Sequence, residues 1–342
     1  MKKILEDAGI GYVKLGKPTE ERHILVEKGD ATYQFGIDYL RDVWYSTSYL
    51  LDCKQSMNGC AKKRFENYKK QPLEFVFDKS FTGKLSQFGL NPDRRTPTGI
   101  KAAIIREKGT NGEREMAYML YLAGFDVKDV TMTDLVSGRE TLEDINFIVF
   151  CGGFSNSDVL GSAKGWAGAF LFNPKAKAAL DNFYARKDTL SLGVCNGCQL
   201  MIELNLINPD FTQKAKMLHN DSHKFESKFV GVTVPMNRSV MFGSLSGSKL
   251  GIWVAHGEGK FSLPDDEDQY NVVLKYSYDE YPGNPNGSDY SVAGLASPDG
   301  RHLAMMPHLE RSCFPWQNAY YPADRIKNDQ ITPCMEAFVN AR

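Results

Sequence analysis

Between residues 99 and 206, short apolar blocks alternate with stretches in which apolar residues recur every third or fourth position. Lys101-Ala102-Ala103-Ile104-Ile105-Arg106, Asp126 to Met132, Phe147-Ile148-Val149-Phe150-Cys151 and Leu190-Ser191-Leu192-Gly193-Val194 read as strands. Helical spacing lies between them. Met116, Met119 and Leu120 share one face of a helix over Glu113 to Leu122, which Gly124 ends, and a second helix spans Lys175 to Tyr184. Alternating strands and helices predict an α/β fold, an open and mostly parallel sheet flanked by helices. Past Leu206 the texture turns β-rich. Lys228 to Val234, Leu250 to Ala255, Val272 to Ser277, Tyr290 to Leu295 and His302 to Met306 read as added strands, and a helix over Ile331 to Ala341 follows.

The first 95 residues have a different pattern. Leu40, Val43, Trp44, Ser48 and Leu51 fall at helical spacing, Ser56-Met57-Asn58-Gly59 breaks the helix, and Cys60 to Lys70 continues as a second one. Leu73 to Phe77 alternates like a strand. Gly89 to Pro97, with two prolines, reads as a linker. The expected division is a helical tail over 1–95 and a main domain over 99–342.

Composition narrows the classes without choosing among them. In 342 residues, 42% hydrophobic and 24% charged content is ordinary for a globular protein, and a net charge of −1 argues against a nucleic-acid or anionic-membrane partner. The basic run from Lys62 to Lys70 reads as a solvated helix face. No apolar run reaches the 18 or so residues of a spanning helix, and Met1-Lys2-Lys3 does not open a signal peptide. Seven scattered cysteines, with a single Cys-x-x-Cys and no histidine cluster beside it, predict no metal site and a reduced, cytoplasmic protein.

Candidate chemistry centres on Gly193-Val194-Cys195-Asn196-Gly197. A strand that turns sharply into a helix, with glycines two residues either side of a cysteine, has the form of a nucleophile elbow with sulfur in place of oxygen. The helix would aim free N–H groups at the sulfur, which favours thiolate and a developing oxyanion. Gly152-Gly153 falls at another strand end, the side of such a sheet where ligands bind. Cys198 and Cys151 read as packing residues. A cysteine nucleophile needs a base, and two of the six histidines precede a glutamate by two positions: His256-Gly257-Glu258 and His308-Leu309-Glu310. Spacing leaves both open. His308, coming off an apolar strand through Pro307, has the stiffer approach.

Gly193-Val194-Cys195-Asn196-Gly197-Cys198-Gln199 together with Met306-Pro307-His308-x-Glu310-Arg311 resembles the triad (class I) glutamine amidotransferases. More narrowly, the chain from about residue 99 onward is similar to the C-terminal glutaminase domain of the large single-chain phosphoribosylformylglycinamidine synthases. Asp134-Leu135, Cys151-Gly152-Gly153-Phe154-Ser155, Asp158-Val159-Leu160-Gly161, Gly165-Trp166-Ala167, His256-Gly257-Glu258-Gly259 and Asn284-Pro285-Asn286-Gly287-Ser288 carry this likeness. The resemblance implies a flavodoxin-like sheet and a glutaminase that feeds ammonia to ATP-dependent amidation of formylglycinamide ribonucleotide. It implies Cys195 as nucleophile, His308 as base and then acid, and Glu310 as its orienting carboxylate. Gly153 and Asn196 would supply oxyanion N–H groups, and Gly152, Phe154 and Gln199 would line the glutamine pocket.

The same resemblance implies that the chain itself needs no cofactor. ATP and magnesium would belong to a synthetase domain of the same polypeptide, which does not precede residue 99 here. Alternatives of a different class are another cysteine hydrolase on this scaffold, which a histidine directly after the nucleophile would favour but Asn196 does not, and a weakly active docking fragment. Two departures bear on the site: Leu309 stands where the family has proline, and Asn156-Ser157 where it tends to have Tyr-Gly.

Overall fold

The computed structural model of the chain describes residues 2–71 and 73–342. They form two compact units, one up to Lys54 and one from Gln55 to Arg342. In the first, helix α1 (Lys2–Asp7) precedes strands β1 (His23–Lys28) and β2 (Ala31–Gly36) and helix α2 (Ile37–Gln55). The two strands form an antiparallel hairpin, from His23↔Gly36 to Lys28↔Ala31. Its turn is Gly29-Asp30, with Gly29 at φ +59°, as a two-residue hairpin loop requires. This segment is therefore not purely helical, which corrects the expectation above.

The unit boundary also differs from the one expected near residue 95. Residues that follow Gln55 pack into the second unit: the Met57 amide donates to the Ser222 carbonyl at 3.0 Å, and Phe81 joins the core. Helix α3 (Cys60–Asn67) begins after Asn58 and Gly59, both at positive φ, so the expected break is real. Leu73 to Phe77 makes one isolated bridge, Val76↔Lys249, because Phe75 and Phe77 turn their rings onto Tyr321. The 89–97 stretch is pinned down. Arg94 and the amides of Thr98 and Gly99 all bind the Asp126 carboxylate, and those two amides lead the interactions that hold it below the usual carboxylate range.

The second unit is built on a nine-stranded sheet. In chain order its strands are β3 (Lys101–Arg106), β5 (Asp126–Thr131), β6 (Phe147–Phe150), β8 (Leu190–Val194), β10 (Glu226–Thr233), β11 (Lys249–His256), β13 (Asn271–Tyr276), β14 (Val292–Ala296) and β15 (His302–Met305). Interleaved are two small ladders: β4 (Thr110–Asn111) with β7 (Gly152–Gly153), and β9 (Lys216–Leu218) with β12 (Lys260–Ser262). The spatial order is β11-β10-β13-β14-β15-β8-β6-β3-β5. From β15 to β5 every pairing is parallel, and from β15 to β11 every pairing is antiparallel. Only β14 and β10 run against the rest, so the sheet is mostly parallel, with the β-rich additions on one flank.

The helices pack in two groups. Helix α4 (Glu113–Ala123) lies with α9 (Cys334–Asn340), while α5 (Met132–Ser137), α6 (Lys164–Phe172), α7 (Pro174–Ala185) and α8 (Asn196–Glu203) pack together. Strand β6 is buried at all four positions, Phe147, Ile148, Val149 and Phe150, as a central parallel strand covered on both faces must be. Helix α7 starts where Asn173 caps the Lys175 and Ala176 amides and Pro174 occupies the first turn. Among the described residues no helix is long and apolar enough to cross a membrane.

Candidate active site

Strand β8 ends at Val194 and helix α8 starts at Asn196, so Cys195 alone makes the corner. Its backbone sits at φ 52° and ψ −105°, a strained conformation for a residue with a Cβ. Three contacts hold it there. The Cys195 amide donates to the Met305 carbonyl of β15 at 2.9 Å, the Gln199 amide closes the first turn onto the Cys195 carbonyl, and α8 lies directly on β6. Close approach is why both flanking residues are glycine. A Cβ on Gly193 would come within 2.5 Å of the Gly197 carbonyl oxygen, and one on Gly197 within 2.0 Å of the Phe150 carbonyl oxygen. Gly197→Ala forces helix and strand apart. We expect it to cost about 3 kcal/mol or more in urea unfolding, whereas Gly257→Ala, whose Cβ meets nothing closer than 3.9 Å, serves as the tolerated control.

Strand β15 delivers the second group. Just past it, the His308 amide donates to the Trp253 carbonyl of β11 at 2.8 Å, fixing the residue at the sheet end. The His308 imidazole Nδ1 lies 2.7 Å from Glu310 Oε1, and both side chains are almost wholly buried. Leu309, between the two, is itself buried and leaves this contact intact. Burial alone pulls the His308 imidazole down. The Glu310 carboxylate and a hydrogen bond with the Cys195 side chain more than reverse that, so the ring sits well above its ordinary value. Gly152 lies against this pair: a Cβ there would fall 2.8 Å from the His308 ring and 3.5 Å from Cys195 Cβ. The Cys195 thiol donates to the Ala255 carbonyl at 3.4 Å.

Cys195, Gly153, Phe154 and Gln199 line one small cavity of about 70 Å³. Asn196 is fully buried beneath it. Its Oδ1 accepts from the Ser155 amide at 3.0 Å, and its Nδ2 donates to Gln199 Oε1 at 2.9 Å. Gln199 Nε2 in turn donates to the Glu258 carbonyl at 2.7 Å. Expected residues thus come together, but Asn196 and Gln199 spend their side chains tying the elbow to neighbouring loops. A larger cavity of about 610 Å³, bordered by Arg64, Lys70, Lys228 and Lys249, is lined by no cysteine or histidine.

Five further residues line this cavity: Ser162 and Phe225, which nothing in the sequence singled out, Asp158, which stood only in a motif of the resemblance, and His256 and Glu258, expected as a possible base and its carboxylate. Ser162 sits between the two carboxylates, its amide 3.4 Å from Glu258 Oε2 and its hydroxyl 3.3 Å from Asp158 Oδ2. Burial, with a contribution from Glu258, raises the Asp158 carboxyl. Asn156, Ser157 and Asp158 all lie at positive φ, a backbone region in which glycine is unstrained. Motif spacing carried no signal that these residues meet in one pocket, since they come from three separate loops.

The other histidine–carboxylate pair does not form. Asn220 Oδ1 already accepts from the Gly259 amide at 3.0 Å and lies 3.2 Å from His256 Nδ1, so that nitrogen is the protonated donor. His256 Nε2 faces the Asn286 amide at 3.5 Å as acceptor, and Glu258 points elsewhere. Burial, helped by the charge on His308, lowers His256 to about 3, and burial with the Arg301 charge lowers His302 to about 4. Both rings stay neutral in the fold but protonate near pH 6.5 when unfolded. Their stabilisation is therefore complete above pH 6.5 and is lost as pH falls toward 3 to 4. His308, raised instead, contributes a slope only above pH 6.5. We expect urea unfolding free energy to drop by about 2 kcal/mol for each of His256 and His302 between pH 7 and 5, and His302→Gln to flatten that fall.

A thiol at a strand–helix corner of a mostly parallel sheet, with a buried histidine–glutamate pair on the adjoining strand, defines the class I glutamine amidotransferase architecture. The chain belongs to the CobB/CobQ-like glutamine amidotransferase domain family, whose profile matches residues 99–342. It is 38% identical over 371 residues to the phosphoribosylformylglycinamidine synthase of Homo sapiens, covering 98% of this chain and 27% of that protein. With the Drosophila melanogaster phosphoribosylformylglycinamidine synthase it shares 39% over 297 residues, covering 82% and 22%. The chain thus spans about a quarter of the length of these relatives. Among solved structures it resembles PurLQS from Thermotoga maritima, with a TM-score of 0.54 at 27% identity over 71% of this chain and 98% of that one.

Proposed function

We propose that this chain is the glutaminase part of a phosphoribosylformylglycinamidine synthase, releasing ammonia from glutamine for ATP-dependent amidation of formylglycinamide ribonucleotide in purine biosynthesis. One observation carries the mechanism: across Gly152, the strained Cys195 corner lies beside a buried histidine whose far nitrogen is bound to a buried glutamate at 2.7 Å. Cys195 thiolate attacks the γ-carbonyl carbon of glutamine, and the carbonyl oxygen takes the negative charge. Backbone N–H groups of Gly153 and Asn196 receive that oxyanion, where one donor is typically worth about 3–4 kcal/mol. His308, holding the thiol proton as imidazolium over Glu310, passes it to the departing ammonia and leaves a γ-glutamyl thioester. It then takes a proton from water, which attacks the thioester and frees glutamate and the thiolate.

Phe154 and Gln199 form walls of the glutamine pocket, Gly152 lies behind it against His308 and Cys195, and Asp158 and Glu258 supply negative charge suited to the α-ammonium of a free amino acid. ATP and magnesium act in the synthetase portion, outside these residues, and that portion is the partner that takes the ammonia. Seven cysteines, all free, suit a reducing cytoplasm. The test is glutamate release from glutamine by the chain alone and with a synthetase portion, ATP and formylglycinamide ribonucleotide added. Stimulated release with formation of the amidine is the expected result. Absence of glutamate in both settings refutes the proposal.

A further inference from the structure

Resting on that reading, we propose that Arg311 is a positioning residue that joins the Glu310 carboxylate to β4, the strand paired with Gly152–Gly153, so that the acid–base pair and the oxyanion site are held as one piece. Arg311 Nε lies 3.7 Å from Glu310 Oε1 and 3.7 Å from Glu115 Oε1 in the first turn of α4. Its Nη2 donates to Asn111 Oδ1 at 2.9 Å. Asn111 and Thr110 make up β4, and among the described residues β4 pairs only with β7, Asn111 opposite Gly152 and Thr110 opposite Gly153. One guanidinium therefore spans the two halves of the site.

The local chemistry needs such a residue. Glu310 is 1% exposed, and its second oxygen, Oε2, is buried without a hydrogen-bond partner. A buried carboxylate with only one oxygen satisfied calls for nearby positive charge. His308 supplies it only while protonated, and its proton moves during turnover. Arg311 keeps its charge throughout. The other ionisable groups near Glu310 are Cys151, Cys313 and, across Arg311, Glu115; both thiols are raised, Cys151 by burial and then Glu310, Cys313 by burial, then Cys334 and Glu310, so neither balances it. The turn after β4 is fitted to the same contact. Gly112, at φ +84°, would with a Cβ stand 3.2 Å from the Arg311 guanidinium and 3.4 Å from Glu310 Oε1.

Chains carrying Arg311→Ala, Asn111→Ala or both test the proposal by steady-state glutamine hydrolysis over pH 5 to 10. We expect Arg311→Ala to lower kcat about tenfold or more with KM within about twofold, the signature of a lost transition-state interaction. Its acid limb should move to higher pH, because Glu310 loses its permanent counter-charge, and millimolar guanidinium should restore part of kcat. Asn111→Ala, a surface change that leaves Arg311 beside Glu310, should lower kcat about threefold, and the double variant should fall no further than Arg311→Ala alone. A kcat within twofold of the parent for both single variants overturns the proposal. So do additive losses, or losses without a pH shift or guanidinium rescue, which would mark a merely structural role. If Arg311→Ala does not fold, Asn111→Ala decides by its kcat alone. A parent chain with no glutaminase activity refutes the functional reading instead, and the rate of Cys195 alkylation across pH then reports on Arg311 in the same variants.

Discussion

Replacing Cys195 by alanine should abolish glutamine hydrolysis, by about 10⁵-fold or more, while Cys198→Ala leaves kcat within about threefold. The two thiols are three residues apart and differ in every property that matters. Cys195 stands at the corner with its sulfur in the pocket, beside the His308 side chain. Cys198 is fully buried one turn into α8, and burial holds its thiol well above the ordinary range. An electrophilic glutamine analogue followed by mass mapping separates them directly. Label on Cys195 is expected. Label on Cys198, or turnover by Cys195→Ala, sinks the assignment.

Glu310→Gln should lower kcat by about 10³- to 10⁴-fold with little change in KM, as an orienting carboxylate does in other nucleophile–histidine–acid sites. Its pH profile should show why. In the parent, burial depresses the His308 ring but the Glu310 charge and the Cys195 contact lift it well above 6.5, so imidazolium persists through neutrality. Without the carboxylate the depression by burial prevails. The alkaline limb of kcat/KM should therefore move toward acid pH in Glu310→Gln. An unchanged limb would mean that some other group sets the His308 charge. His256 cannot substitute, because both its nitrogens are engaged by Asn220 and Asn286 and its ring resists protonation down to about 3.

Local pattern made a large part of this molecule legible. Apolar blocks such as Phe147 to Phe150 and Leu190 to Val194 placed the parallel strands to within a residue, since a strand covered on both faces has to be apolar throughout. The hairpin of the first unit was also readable: Gly29-Asp30 between two β-rich runs is a two-residue turn signal. It was missed because the aromatic, helical texture after Asp38 dominated that region. Helix α6 escaped for another reason. Its sequence, Lys164–Phe172, is apolar nearly all round, so it carries little amphipathic period.

What sequence alone determined was the local chemistry of the corner. Glycines at 193 and 197 around Cys195, an apolar strand before and an apolar helix after, dictate a sharp turn with a proud thiol, because no bulkier residue fits where helix meets strand. Tertiary structure decided the rest. Two histidines each precede a glutamate by two positions, and nothing local distinguishes them. The choice between them depends on distant asparagines that occupy both nitrogens of His256, and on the β15 register that puts His308 beside the elbow. Likewise Asp158 and Glu258 face one cavity, and Arg311 reaches Asn111, only because the sheet brings separate loops to the same edge. Such groupings are set by strand order, which no stretch of neighbouring residues encodes.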